Sequence, residues 1–562
     1  MNSSVRGGLA GVGAAAAALG VAELIAVGTG PNSAPLLAVG GVVIDTVPAP
    51  VKDFGVAVFG VHDKTALLTG TAILLVGYAF VAGVVAARRW WAGVAMVSAF
   101  GVVGVAAAVT RHDAGVVAAL PSLVAAVVAV VVLRGLLAVS AGVPLARALV
   151  PAGGAAAGSD AAGDGASGVG TSPRAGGGGG DSEVVSRGSA GRRPGGAGVA
   201  VGGGGEAYPE EGRRRFLKGL GVVVGVSALG GVVGRLLTGR RAVSQARNDV
   251  VLPAARQSAP VVPAGVQAPG ATAYVTGNDN FYRIDTALYP PQVDPATWQL
   301  RIHGMVRNPI TVSWADLLRR PMVERYVTLT CVSNEVGDTL VGNALWLGTP
   351  IRELLEEAGP LAEADQVVQR SVDGWTCGSP TAVLRDGRDA LLAVGMNGKP
   401  LPVEHGFPVR MVVPGLYGYV SACKWITEIE LTRFADFDAY WVPRGWSAQG
   451  PIKTQSRIDT PRAGGTRAAG AVTVAGVAWA QHKGIAKVEV QVDDEPWRVA
   501  TLAATVSADT WRQWSYVWNA APGKHRIRVR ATDTTGYTQT STPAPPAPDG
   551  ATGWHAIDVT IE

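Results

Sequence analysis

The sequence predicts a multi-domain chain: transmembrane helices at the N-terminus, then an α+β domain, then an all-β immunoglobulin-like sandwich. Three observations lead there. Four apolar stretches of bilayer length occupy the first 138 residues, and composition changes sharply in the second half, where thirteen of the fifteen Trp and five of the seven His lie beyond residue 297. The last segment alternates apolar and polar residues with period two, the pattern of half-buried antiparallel strands. With 48% hydrophobic and 16% charged residues and a mean hydropathy of +0.25, an ordinary cytosolic enzyme is excluded. The net charge of +5 comes from scattered Arg and forms no basic stripe interleaved with aromatics, so nucleic acid is not an expected partner.

The four stretches are Leu9–Gly28, Ala66–Ala86, Ala92–Thr110 and Ala114–Leu133, each near the ~20 residues that a ~30 Å hydrocarbon core asks of a helix. Arg88 and Arg89 separate the second and third, and Arg134 and Arg147 mark the end of the fourth. With Lys and Arg kept inside, those loops and the N-terminus are cytoplasmic, while segment 31–65 and Arg111–Asp113 face outward. A haem within the spans would need axial ligands there, but His62 and His112 lie at the edges; no haem is expected in this chain.

Residues 139–212, rich in Gly and Ala and including Gly176–Gly180 and Gly202–Gly205, read as a disordered cytoplasmic linker, because such composition buries too little apolar area to offset chain entropy. Segment 213–240 opens with Arg213-Arg214-Arg215-Phe216-Leu217-Lys218 and continues into a Gly-rich apolar run. It resembles a twin-arginine export signal, a route for proteins already folded, which suits a domain that takes up its cofactor before export. Whether this segment is cleaved or stays as a fifth transmembrane helix is open; Ser244-Gln245-Ala246 is a weak cleavage site and an anchor is preferred. Residues 241–270 then form an extracytoplasmic linker.

Within 271–440, Thr349-Pro350 is expected to start a helix whose Ile351, Leu354, Leu355 and Ala358 make an apolar stripe, stopped by Gly359-Pro360. Val409–Val413 reads as a short buried strand. Four segments carry chemistry: the polar-aromatic loop Asn278–Asp285, Cys331 just past a β-like run, His405 and Arg410 spaced around a turn, and Tyr417-Gly418-Tyr419 leading into Ala422-Cys423-Lys424-Trp425. Taken singly, each has a plain structural reading: a buried thiol, a turn histidine, a snorkelling lysine.

Together and in this order they resemble the sulfite oxidase family of molybdenum enzymes, over about residues 270–562. The resemblance implies that Cys331 is the thiolate ligand of molybdenum beside a pyranopterin dithiolene. It assigns the pterin and its phosphate to Asn278, Phe281, Tyr282, Arg283, Asp285, Asp373, His405, Arg410, Ala422, Cys423 and Lys424, and puts Tyr417 and Tyr419 on the substrate side. The chemistry is consistent: a thiolate is a soft metal ligand, Arg410 and Lys424 can neutralise a phosphate, and His405 and Asp373 can hydrogen-bond a polar heterocycle. Backbone amides of 422–424 would complete the anion site.

The chain departs from the family at Ile284, Glu335 and Val336, where sulfite oxidases carry arginines that help bind an oxyanion. A desolvated anion would meet no compensating charge there, which favours a sulfur or nitrogen oxo compound as substrate over sulfite, with sulfite dehydrogenase proper as the alternative. A cofactor-free, membrane-tethered binding scaffold is the reading from another class. Residues 441–562 form the immunoglobulin-like domain: Val488, Val490 and Val492, then Ile527, Val529 and Ala531, then Ile557, Val559 and Ile561 face one side. Trp511, Trp514 and Trp518 are expected in its core, and the resemblance implies a dimerisation-type domain and a possible homodimer.

The full expectation is a multi-pass cell-membrane protein whose C-terminal catalytic half is extracytoplasmic and carries Mo-molybdopterin. Neither flavin nor iron–sulfur cluster is expected, as the sequence has no Cys cluster and no nucleotide-binding glycine fingerprint. Electrons then pass to or from a separate electron-transfer protein or a membrane carrier.

Overall fold

The computed structural model describes residues 2–30, 33–47, 63–110, 115–141, 210–237 and 240–562. The Gly/Ala-rich segment 151–207, His62 and His112 lie outside the described residues.

Small residues shape the first bundle. Helix α1 (Ser3–Thr29), its first turn capped by the Asn2 side chain, buries Gly7, Gly11, Ala14, Ala18 and Ala22. A 12-residue apolar helix, α2 (Pro35–Thr46), follows, within the segment read as an outward loop. Then come α3 (Asp63–Arg88), α4 (Trp90–Val109) and α5 (Leu120–Ser140), the last led in by a 3-10 turn at Val116–Ala119. Four helices are long and apolar enough to cross a membrane, Ser3–Thr29, Ala66–Arg88, Trp90–Val109 and Val116–Ser140, matching the four stretches read from the sequence. Their backbones nearly touch. A Cβ on Gly11 would stand 2.0 Å from the Ala79 carbonyl oxygen, and one on Gly83 would stand 2.2 Å from that of Gly7. Close approach through small residues is how helices gain dispersion contacts in lipid, where burial from water gives no drive.

Helix α6 (Glu210–Leu237) lies parallel to α1, with Gly13 against Leu220 and Gly20 against Ser227. Its apolar part, Phe216–Gly231, is shorter than the four long spans. Arg88 donates to Ser4 Oγ (3.1 Å) and Arg6 to the Ser140 carbonyl (3.4 Å), so these arginines gather at one end of the bundle. At the other end α2 meets the second domain: a Cβ on Gly40 would come 3.0 Å from Leu288 Cδ1.

The segment expected as a linker begins with a helix, α7 (Arg240–Asn248). It is ordered because Val243 is buried in the aromatic cluster around Phe281, while Arg247 donates to the Pro400 and Leu401 carbonyls, each at 2.6 Å.

The α+β domain holds two mostly antiparallel sheets. One comprises β1 (Gln299–Gly304), β2 (Ile310–Ser313), β5 (Gln366–Ser371), β6 (Thr376–Pro380) and β10 (Ile426–Thr432), in the order β2-β1-β10-β5-β6, with β1 and β10 parallel. The other comprises β3 (Val323–Thr330), β4 (Val341–Pro350), β7 (Leu391–Met396) and β8 (Lys399–Pro400), with β9 (Arg410–Val412) paired to β7. Three short helices, α8 (Trp314–Arg319), α9 (Ile351–Ala358) and α10 (Thr381–Arg385), cover the strands. Helix α9 buries the expected Ile351, Leu354, Leu355 and Ala358 and ends at Gly359 in the left-handed region. Its start differs from expectation. Thr349 and Pro350 finish β4, no side chain caps the helix, and the Thr349 hydroxyl turns inward to Met322 Sδ at 3.6 Å.

The C-terminal domain is the expected sandwich. One sheet runs β11 (Gln455–Thr460), β13 (Gly470–Trp479), β17 (Arg512–Ala520) and β16 (Thr501–Leu502). The facing sheet runs β12 (Thr466–Arg467), β19 (His555–Ile561), β18 (Gly523–Asp533), β14 (Ile485–Val492) and β15 (Arg498–Val499). The three alternating apolar triplets are buried, as are Trp511, Trp514 and Trp518, although Trp511 packs into the α+β core and only the other two into the sandwich.

Candidate active site

Cys331 is the first residue after β3, and Leu340 just precedes β4, the strand paired with it; the Cys331 N–H donates to the Leu340 carbonyl at 2.9 Å and closes the intervening loop. Asn334 braces that loop, its Oδ1 accepting the Leu340 N–H at 2.8 Å. The thiol is buried and its pKa is raised by that burial, while hydrogen bonds from Ser333 pull the other way. Without a metal this is therefore a thiol; a bound cation would deprotonate it.

The turn after β8 delivers His405 and Arg410. Gly406 has φ +108°, and a Cβ there would stand 3.0 Å from Arg410 Cβ and 3.1 Å from Lys424 Cβ, so only glycine fits between the three groups. His405 Nε2 donates to the Asn278 carbonyl at 3.0 Å, and burial, with Arg410 next, lowers its pKa to about 4. The ring is neutral at physiological pH. Arg410 is buried, donates to the His405 carbonyl at 3.2 Å and lies over the Trp346 ring at 5.1 Å, its pKa lowered by desolvation to about 10.

Lys424 Nζ is 2.6 Å from Asp285 Oδ2 and 3.2 Å from the Glu404 carbonyl. Burial lowers its pKa to about 8, with Arg410 and Arg283 adding repulsion that Asp285 offsets. Arg283, exposed at the rim, pairs with the same Asp285 oxygen at 2.9 Å. Phe281 packs edge-on to Trp346 and His405 and stacks on Tyr282 at 5.2 Å. The Tyr282 hydroxyl lies within electrostatic reach of both Cys331 and Arg410, and its pKa is raised by burial first.

Three buried or rim cations, Arg283, Arg410 and Lys424, thus share one paired carboxylate, Asp285. Two of them are held below their ordinary pKa, which is the electrostatic state of a pocket suited to an anion of charge near −2. A pterin phosphate fits that charge, the neutral imidazole and stacked aromatics fit a polar heterocycle, and the neighbouring buried thiol fits a soft metal.

Other expected members sit differently. The Ala422 N–H donates to the Gly418 carbonyl (3.0 Å) and the Cys423 N–H to Gln369 Oε1 (3.4 Å), so these two amides serve the fold rather than an anion. Asp373 caps its own turn through the Trp375 N–H at 3.2 Å, behind the strand and outside the hydrogen-bonded cluster. Tyr417 is buried within electrostatic reach of Cys331, but its hydroxyl faces Gly550 and the Lys453 N–H. Tyr419 donates to the Ser447 carbonyl at 2.8 Å. Ile284 and Glu335 are solvent-exposed. Cys377 and Cys423 are free thiols, Cys377 donating to the same Gln369 oxygen.

Sequence reading missed Asn397. Its amide donates to the Thr276 carbonyl and Asn278 Oδ1 and accepts the Leu345 N–H at 2.9 Å, pinning the Asn278 loop to β4. The signal was present: Asn397-Gly398, both with positive φ, is the turn of a tight hairpin between β7 and β8.

The family described as "Oxidoreductase molybdopterin binding domain" matches residues 287–441, and "Bacterial Ig domain" matches 455–529. The chain is 28% identical over 321 residues to human mitochondrial sulfite oxidase, covering 48% of this chain and 58% of that one. It therefore spans less than two thirds of that relative. It is 33% identical over 173 residues to an uncharacterized oxidoreductase, YuiH, of Bacillus subtilis, covering 30% of this chain and 83% of that one. Among solved structures it resembles the sulfane dehydrogenase SoxCD of Paracoccus pantotrophus, with a TM-score of 0.44 and 21% identity over 52% of this chain and 85% of that one.

Proposed function

Because the chain belongs to the family of molybdopterin-binding oxidoreductases related to sulfite oxidase, we propose that it is a membrane-anchored, extracytoplasmic enzyme of oxygen-atom transfer. One observation carries the reading: the cationic cluster of Arg410, Lys424 and Arg283, with a single carboxylate, lies beside the buried thiol of Cys331. When bound, the molybdenum cofactor supplies two-electron oxygen-atom exchange. This chain's residues hold and orient it. Arg410 and Lys424 neutralise the phosphate, neutral His405 and the Phe281–Tyr282 pair seat the pterin, and Cys331 gives its sulfur to the metal after losing its proton.

The substrate we infer is a sulfur or nitrogen oxo compound, since Ile284, Glu335 and Val336 give an oxyanion no positive partner. The 28% identity to human sulfite oxidase favours a second reading, sulfite dehydrogenase. Electrons pass to or from a separate protein or membrane carrier. The gathering of Arg6 and Arg88 at the end of the bundle away from Leu288 supports a cytoplasmic N-terminus and an outward catalytic half. In this reading Arg213–Lys218 act as a twin-arginine signal and α6, held along α1, remains as an anchor.

The test is the molybdenum and pterin content of the purified full chain, beside Cys331→Ser, from cells able to make the cofactor. Stoichiometric metal and pterin, with thiolate-to-molybdenum absorption lost in the variant, are expected. Folded protein without either would remove the enzyme reading and leave the binding scaffold. A screen of sulfoxides and N-oxides against sulfite would then separate the two substrate readings.

A further inference from the structure

Between α1, α3, α4 and α5 lies a slot of about 80 Å³. Its lining includes Ala14, Leu75, Tyr78, Phe100, Ala126 and Ser122, and no charged side chain is among the residues around it. Tyr78 and Phe100 face one another with ring centroids 5.8 Å apart, and the Tyr78 hydroxyl is already spent on the Met96 carbonyl at 2.8 Å. Ser122 is different. It is 2% exposed and its Oγ has no hydrogen-bond partner. A buried hydroxyl without a partner is costly, and a helical serine ordinarily turns back to its own helix. Here it stands at one end of an apolar slot, next to Gly104 and Pro35: a Cβ on Gly104 would come 2.8 Å from Ser122 Oγ and 3.9 Å from Pro35 Cβ.

That polar end is also the end nearest the catalytic domain. Pro35 begins α2, and the same short helix meets Leu288 through Gly40, three residues beyond Asp285 of the candidate active site. A ligand for this slot must be uncharged and flat, with an apolar body and a hydrogen-bond acceptor at its leading edge. An acyl chain would leave Ser122 unpaired, and a phosphate headgroup would meet no cation.

We propose that the slot binds the ring of a lipid-soluble quinone, with a ring carbonyl accepting from Ser122 Oγ. The enclosed volume is roughly half the ~150 Å³ of an apolar cavity that holds benzene, so the ring enters edge-first, oxygen leading, and its tail stays among the helices and lipid. The inference rests on the oxygen-atom-transfer reading above, which requires a two-electron partner. The balance closes in the reductive direction: an oxo substrate and a quinol give the reduced substrate, water and a quinone, the quinol supplying both electrons and both protons.

The experiment uses the full chain in phosphatidylcholine nanodiscs, titrated with a naphthoquinone bearing one isoprenoid unit, with bound quinone extracted and counted per chain. Saturable, stoichiometric binding is expected. Ser122→Ala weakens it about five- to tenfold, the effect of one neutral hydrogen bond, and Ser122→Thr, which keeps the hydroxyl, restores it. Ala126→Phe, which fills the slot, abolishes it. Absence of saturable binding, affinity unchanged in both Ser122→Ala and Ala126→Phe, or retention of phospholipid alone would overturn the proposal. Molybdenum content and turnover of the wild-type chain with a soluble redox dye separate the two readings. A loaded, dye-active chain that takes up no quinone sinks only this one, whereas a chain without molybdenum that binds quinone sinks only the other.

Discussion

The guanidinium of Arg457, in the first strand of the immunoglobulin-like sandwich, donates to the main-chain oxygen of Asp338 at 3.0 Å. Asp338 belongs to the loop that begins with Cys331, and the same loop presses on the sandwich at Gly337, where a Cβ would come 2.2 Å from His555. Gln481 reinforces the join by donating to the Thr328 carbonyl and Thr330 Oγ1, both at 3.0 Å. The second domain therefore braces the loop that carries the sulfur.

Arg457→Met should loosen that brace. Asp459, side chain 11% exposed and paired to Arg457 at 2.7 Å, would lose its cation. A loss of about 2–4 kcal/mol in urea unfolding is expected, with faster release of molybdenum to a chelator. Unchanged release would mean that the loop holds its shape unaided.

His405 makes the chain acid-sensitive. Its pKa is near 4 in the fold against 6.5 ordinarily, so between those values the unfolded chain binds the extra proton. Stability therefore falls as pH drops from 6.5 towards 4, by at most about 3 kcal/mol from this residue. His405→Gln, which can still donate to the Asn278 carbonyl, should flatten that part of the profile. Unfolding midpoints at pH 7, 5.5 and 4.5 decide it; parallel wild-type and variant curves would contradict the assignment.

Arg410→Lys is not a conservative change. The guanidinium spans the Trp346 face and donates to the His405 and Met411 carbonyls at once, which an ammonium on a flexible stem cannot reproduce. Pterin retained through purification should fall at least about tenfold, the scale of a lost charge-assisted contact. Retention equal to wild type would show that net charge alone suffices.

Gly406→Ala sets a methyl between Arg410 and Lys424 at a backbone angle that side chains rarely adopt. A cost of about 1–3 kcal/mol is expected, read as a lowered thermal midpoint together with reduced cofactor content.

Much of this architecture could be read along the chain because its signals are local. The triplet Val488, Val490 and Val492 declares a strand by alternation, and Ile351 to Ala358 declares a helix by stripe. Helix α2 escaped because twelve apolar residues are too few for a span and lie where a loop was needed. Asp373 and the amides of 422 and 423 were placed in the site by order along the sequence, yet order does not say where an N–H already has a partner. The Ala422 and Cys423 amides are taken by Gly418 and Gln369, contacts that depend on long-range packing. The charge economy around Asp285 was equally hidden, since Lys424 reaches it only after the strands fold.

The seam between α1 and its neighbours has a consequence for the order of assembly. Gly11 and Gly7 can close on Ala79 and Gly83 as soon as α3 is made, but Gly20 must wait for Ser227. The first helix to leave the ribosome therefore keeps one face unfilled until α6 arrives. A newly made N-terminal half is an incomplete object in the bilayer, open to lipid or to a membrane chaperone along that stripe. Truncation after α5 should yield a bundle that survives only with such help, whereas supplying α6 as a separate peptide should close it again.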